Sequence, residues 1–308
     1  MNKLVNCGLE NRFGTNCLKW DGLKSRFGNE NLIAMWVADM DFKAPQPVID
    51  ALKERVNHGI FGYNIIPDSY YEAFINWEKE KHGYNVKKEW IRFSPGVVPA
   101  LFWFINILTN PGDSCIVMGP VYYPFHDAIK ENERKLIFNN LKNDNGIYTI
   151  DFEKFEEDII ENQVKLFILS SPHNPIGRVW TKEELKRVLD ICKANDVFVL
   201  ADEIHQDIII GDKKQIPAAT IGNYDDILVT LTAATKTFNL ASCQNSFVVI
   251  PNDEIREKFD KYYNSIGGDN GNVFGYIAVE AAYRYGEEWL KEILDKIRGN
   301  YEYTKSIL

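Results

Sequence analysis

Short runs of consecutive apolar residues alternate along the chain with longer stretches of helical periodicity. The runs are 115–118, 166–169, 197–201, 227–231 and 247–250. Apolar residues on consecutive positions give a strand two buried faces, as in a sheet covered by helices on both sides. The clearest helix opens at Thr181, where Thr181 and Glu184 form a capping box and Leu185, Val188, Leu189 and Cys192 supply the buried stripe. Further helices are predicted over 45–57, 69–81, 99–108, 253–265 and 287–308. This alternation predicts an α/β fold with a mostly parallel sheet.

Ligands of such folds sit outside the carboxyl ends of the strands, so the residues after each run are the candidates for chemistry. Gly119-Pro120-Val121-Tyr122-Tyr123 follows the first run, and Ser170 to Gly177, with Asn174-Pro175, follows the second. Asp202-Glu203-Ile204-His205 follows the third, and Thr232 to Leu240, with Lys236, the fourth. Singly, each has an ordinary structural reading. Asp202 could cap a turn, Asn174-Pro175 is a turn dipeptide, the tyrosines could pack, and Lys236 could be solvated. Their conjunction at one sheet edge is too polar for packing alone.

Composition narrows the function. The 308 residues hold 45% hydrophobic and 26% charged side chains, enough for a substantial core. With 35 Lys and Arg against 44 Asp and Glu, the net charge is −9, which points away from nucleic acid or an anionic membrane as partner. Five scattered cysteines without a C-x-x-C pair fit a reducing cytoplasm better than a disulfide framework or zinc cluster. The first residues lack the apolar core of a signal peptide, and the most apolar stretch, 97–108, is too short to span a bilayer. The five histidines show no metal-ligand spacing, and no metal is expected. Gly267 to Gly271 matches neither a dinucleotide nor a P-loop pattern and reads as a flexible loop.

Asn174-Pro-x-Gly177, Asp202 and Thr235-Lys236-Thr237-Phe238 together resemble the pyridoxal-phosphate enzymes of fold type I, the class I and II aminotransferase superfamily. Trp36 to Phe42, Phe61-Gly62-Tyr63, Asp202 to His205 and Lys236 to Ala241 are similar to its cystathionine β-lyase and cysteine-S-conjugate β-lyase branch, the MalY/PatB type. The resemblance implies a seven-stranded-type sheet with helices on both faces and pyridoxal 5′-phosphate (PLP) as cofactor. It implies that Lys236 carries the cofactor and then serves as general base at the substrate Cα. By the same resemblance Asp202 faces the pyridinium nitrogen, Asn174 the phenolic oxygen, and Tyr122 stacks on the ring. Gly96, Val97 and Val98 at a helix start would hold the phosphate with Thr232 and Thr235. Tyr123 is a candidate assistant in proton transfer, and His205 a supporting residue. The segment around Val37 and Ala38 would lie against the substrate carboxylate. A tyrosine matching Tyr63 reaches the neighbouring subunit's phosphate in the family, which implies a homodimer.

Three departures stand out. Ala241-Ser242-Cys243 replaces the usual Ala-Gly followed by an apolar residue. Gln244, eight residues after Lys236, stands where aminotransferases use an arginine, which favours elimination over transamination. The family's carboxyl-terminal arginine for the substrate carboxylate has no counterpart before Leu308. The expected organisation is a cofactor-binding large domain over 45–287, with 1–44 and 288–308 forming part of a small domain. The expected activity is β-elimination from a small amino acid with a β-thioether. An aminotransferase and a shortened, non-catalytic relative binding cofactor or a protein partner are the alternatives.

Overall fold

The computed structural model describes residues 9–268 and 271–308. Expectations for the first eight residues, Cys7 included, and for Asp269 and Asn270 of the glycine-rich loop lie outside them. Nine strands are present among the described residues: β1 (Ile91–Ser94), β2 (Ser114–Gly119), β3 (Lys135–Asn140), β4 (Lys142–Asp144), β5 (Ile147–Thr149), β6 (Val164–Ser170), β7 (Phe198–Asp202), β8 (Leu228–Thr232) and β9 (Ser246–Val249). The helices are α1 (Leu18–Asp21), α2 (Leu23–Phe27), α3 (Gln46–His58), α4 (Asp68–Trp77), α5 (Val97–Leu108), α6 (Pro124–Glu131), α7 (Phe152–Glu161), α8 (Lys182–Ala194), α9 (Ala234–Thr237), α10 (Asp253–Ser265), α11 (Val273–Tyr285) and α12 (Glu287–Ile307).

Seven strands form one sheet in the order β1-β9-β8-β7-β6-β2-β3. All pairings are parallel except those of β9, which runs against both β1 and β8. Burial on both faces follows from the alternation of side chains along each strand. In β2, Ile116 and Met118 pack with α7 and α8 residues such as Phe155, Leu185 and Leu189, whereas Cys115 and Val117 face Leu101, Phe104 and Phe125 of α5 and α6. Helices α3, α4 and α11 close the β1–β9 end with an aromatic cluster in which Phe74 stacks on Phe247 at 3.8 Å between ring centres. No helix among the described residues is long and apolar enough to cross a membrane.

The five predicted strands and the predicted helices are present with small shifts at their ends, and α8 carries the capping box of Thr181 and Glu184. The helix expected over 69–81 stops at Trp77 and continues as a π turn over Glu78–His82. Elements outside the prediction have physical reasons. Of the outermost strands, β1 interrupts its apolar residues with Arg92, and β3, though it carries Leu136-Ile137-Phe138, alternates exposed with more buried residues towards its end. Helix α11 is buried nearly all round and shows no polar stripe.

At the α11–α12 corner, a Cβ on Gly286 would sit 2.5 Å from the Phe238 ring and 2.5 Å from the Ala282 carbonyl oxygen. Gly286→Ala should therefore destabilise the protein by about 1–3 kcal/mol, the usual cost of overpacking. The denaturant midpoint at unchanged slope checks it.

Candidate active site

Parallel strands bring their carboxyl ends to one edge, and here that edge gathers Gly119, Ser170, Asp202 and Thr232. Neighbouring strands are in register there: Ser170 lies opposite Asp202, and Asp202 opposite Leu231. Because β9 is antiparallel, it presents its amino end to this edge, so Gln244 and Asn245, which precede it, border the site. Helix α5 crosses the same sheet face, touching β6, β7, β8 and β9.

Asp202 ends β7 and is buried, accepting from Ile204 N–H at 3.1 Å. Burial pushes its carboxyl up to about 7, against that hydrogen bond and the attraction of Lys236. Lys236 lies on α9, one turn after β8, and its Nζ donates to the Ala38 carbonyl at 2.8 Å. Burial lowers the lysine below its ordinary range, opposed by Asp39 and Asp202. His205 is pushed down to about 4 by burial and by Lys236, so a neutral imidazole stands near the amine.

Tyr122 N–H donates to the Asn174 carbonyl at 3.0 Å, and Asn174 N–H donates to Ser170 Oγ at 3.1 Å. These bonds stitch the loops after β2 and β6 together. The Tyr122 hydroxyl is raised by burial and then by Tyr123 and Asp202, which puts it in the electrostatic reach of Asp202. Tyr123 is 60% exposed, its ring 5.7 Å from that of Tyr122. Gly96 precedes α5 with no side-chain cap, which leaves the first-turn N–H groups around Val97 and Val98 without that partner. Thr235 is buried beside Lys236, and Thr232 Oγ1 accepts from Gln206 Nε2 at 3.1 Å. Tyr63 is fully exposed and is not gathered with these residues by its own chain.

Sequence reasoning missed the residues that hold the lysine turn. Asp207 accepts from Thr237 Oγ1 at 2.7 Å, Trp77 Nε1 at 3.0 Å and His82 Nε2 at 2.8 Å. Asn239 accepts from Met40 N–H at 3.0 Å and donates to the carbonyls of Met40 at 3.0 Å and Phe42 at 2.9 Å. Their proximity in sequence to His205 and Lys236 was a usable signal. Their long-range partners were not.

The fold and this edge are those of the PLP-dependent transferase class. A family described as aminotransferase class I and II matches residues 30–308, and the chain belongs to it. It is 41% identical over 300 residues to cystathionine beta-lyase PatB of Bacillus subtilis (strain 168), covering 97% of this chain and 78% of that protein. Protein MalY of Escherichia coli (strain K12) is 30% identical over 95% of this chain and 75% of that one. Among solved structures, cystalysin from Treponema denticola, which contains a pyridoxal 5′-phosphate cofactor, matches with a TM-score of 0.93 at 36% identity over 97% of this chain and 77% of that one. A PLP-bound C-S lyase from Staphylococcus hominis matches with a TM-score of 0.91 at 34% identity over 98% and 76%.

The residues present fit such a cofactor. Asp202 is a buried carboxyl that accepts from Ile204 N–H within its own chain, and its charge balance calls for a cationic donor. The amine of Lys236 and the uncapped start of α5 supply an attachment point and an anion cradle at the same edge.

Behind Asp202, Glu203 points to the other face of β7, accepting from Ala218 N–H at 2.7 Å, while Glu78 accepts from Gln206 at 2.6 Å. Burial pushes Glu203 up to about 8 and Glu78 to about 7 from an ordinary 4.5. Between these values the folded state keeps protons that the unfolded chain releases, so stability falls as pH rises from about 4.5 to 8. The melting temperature of the cofactor-free protein should fall across that window, and Glu203→Gln should flatten the decline.

Proposed function

We propose that the protein is a PLP-dependent carbon–sulfur β-lyase that converts cystathionine or another L-cysteine S-conjugate, with water, to a thiol, pyruvate and ammonia. The observation that carries this reading is Lys236 and Asp202 on adjoining strand ends, in a chain whose relatives are named cystathionine beta-lyase and C-S lyase. Lys236 would hold PLP, Asp202 its ring nitrogen, Asn174 its phenolic oxygen and Tyr122 its face. Gly96, Val97, Val98, Thr232 and Thr235 would hold the phosphate, with His205 in support. PLP, when bound, withdraws the electron pair left at Cα and so allows the β carbon–sulfur bond to break.

The protein's own contribution is proton handling and orientation. Burial lowers the proton affinity of the Lys236 amine, the direction that a base at the substrate Cα requires. Asp202 supplies a carboxylate where a positive ring nitrogen needs one, and that pairing returns the charge which burial alone removes. Tyr123, exposed beside Tyr122, would pass a proton to the departing sulfur. The peptide around Val37 and Ala38 would orient the substrate carboxylate. Gln244 in place of an arginine supports elimination over amino transfer.

Tyr63, with exposed Ile60, Phe61 and Ile65 around it, supports a homodimer in which Tyr63 completes the neighbouring site. Unpaired thiols at Cys17, Cys115, Cys192 and Cys243 support a cytoplasmic setting.

Adding PLP should give a visible absorption band fixed covalently by borohydride, and Lys236→Ala should lose it. Turnover of cystathionine to pyruvate should fall on the order of 10²–10⁴-fold in that variant. Keto-acid-dependent amino transfer outpacing pyruvate release in the parent would overturn the lyase reading. Mixing Lys236→Ala with Tyr63→Ala chains should restore part of the activity that each lacks, since a hybrid dimer holds one intact site. Failure to complement would remove the shared-site arrangement.

A further inference from the structure

The peptide from Ala38 to Phe42 is gripped from two sides. Asn239, on the lysine turn, takes its three hydrogen bonds to Met40 and Phe42 from one side. From the other, Arg12 makes a bidentate pair with Asp39, Nη1 to Oδ1 at 2.9 Å and Nη2 to Oδ2 at 2.8 Å. The same Nη1 reaches the Met40 carbonyl at 3.1 Å and Asp41 Oδ1 at 3.0 Å, so both terminal nitrogens of the guanidinium hold the segment. Lys19 and Trp20 complete the clamp on Asp41, each at 2.9 Å.

This grip has an electrostatic side. The Ala38 carbonyl, next in the chain to Asp39, is the one that receives Lys236 Nζ. Two carboxylates act on the amine through their charge, Asp39 from this segment and Asp202 from β7, and the amine in turn acts on His205 from the turn after β7. Asp39 favours the charged amine more strongly than Asp202 does. Behind Asp39 stand Arg12, Lys19, whose Nζ is 3.9 Å from Asp39 Oδ1, and Asp41. The Arg12 and Asp39 side chains are only 25% and 17% exposed, so solvent screens them incompletely.

We propose that Arg12 is a positioning residue that screens the lysine: it turns and neutralises Asp39, so that Lys236 faces an ion pair instead of a bare carboxylate. The proposal rests on the reading of Lys236 as the cofactor lysine. A planar fork matched to a carboxylate suits this task, since it fixes orientation and cancels charge together. The clamp on the backbone alone could have been made by neutral groups, as Asn239 does on the opposite side.

The test is the pH midpoint at which the visible band of the PLP-loaded protein changes, with the pH dependence of pyruvate release beside it. Arg12→Gln exposes Lys236 to Asp39 and should raise the midpoint by about one pH unit. Asp39→Asn leaves the cation bare and should lower it. The double variant should return near the parent value. Midpoints that do not move, or that move in the same direction in both single variants, overturn the screen and leave Arg12 a backbone staple. A double variant that keeps the Arg12→Gln shift also overturns it, because the shift then comes from a moved backbone. Should Arg12→Gln not fold alone, Asp39→Asn against the double variant decides: the downward shift must be lost once the cation is removed as well. No band in the parent would overturn the assignment of Lys236 and the screen with it.

Discussion

Everything in this structure converges on holding one lysine amine half-buried and aimed, with its proton affinity lowered. A lysine side chain on a flexible four-carbon stem resists all three demands, so the turn that bears it must be held by its neighbours. Thr237 ties the turn to Asp207, Phe238 sinks into the aromatic cluster against Gly286, and Asn239 fastens it to the peptide at Met40. Three consecutive residues thus anchor α9 to three different parts of the chain. The turn has only four helical residues, too few to fix itself by its own hydrogen bonds. Its rigidity is borrowed from tertiary contacts.

The sheet makes those contacts possible. Four parallel strands deliver their following loops to one edge, and the reversed β9 adds a loop that a uniformly parallel sheet would have sent to the opposite side. Helix α5, leaving the distant strand β1, crosses the sheet face with its amino end at the same edge. The anion-binding end of a helix and the cation-bearing turn therefore meet through topology, without needing proximity in sequence.

Much of this was legible. A central strand buried on both faces writes an uninterrupted apolar run, and the residues after 166–169, 197–201 and 227–231 do lie together at the edge. Edge strands write weaker signals: β1 is short and broken by Arg92, and β3 leaves alternate positions to solvent. The hairpin of β4 and β5 had a readable mark, Asn145-Gly146, both with positive φ, and its shortness left little else to read. The clamp residues were illegible for another reason. Nothing local says that Arg12 pairs with Asp39, that Asn239 reaches Met40, or that Asp207 collects Trp77 and His82. Such pairs are decided by how elements dock, and a single sequence does not encode the docking in any short-range pattern.

Burial acts on neighbouring carboxyls to different ends. Asp202 ends β7 and Glu203 follows it, each with different partners, and both are driven towards the neutral form by loss of water. Glu203 finds a backbone N–H and a second buried carboxyl, Glu78, which discourages its charge further. Asp202 finds an N–H and the amine of Lys236, which encourages it. One is therefore a stable proton holder inside the fold, and the other is a carboxylate poised for a positive partner. The same poise governs the lysine: the burial that lowers its proton affinity also magnifies each charge that acts on it. A site built this way cannot leave a carboxylate such as Asp39 bare beside the amine, and the bidentate guanidinium of Arg12 meets that need while fastening the backbone to which the amine is hydrogen-bonded.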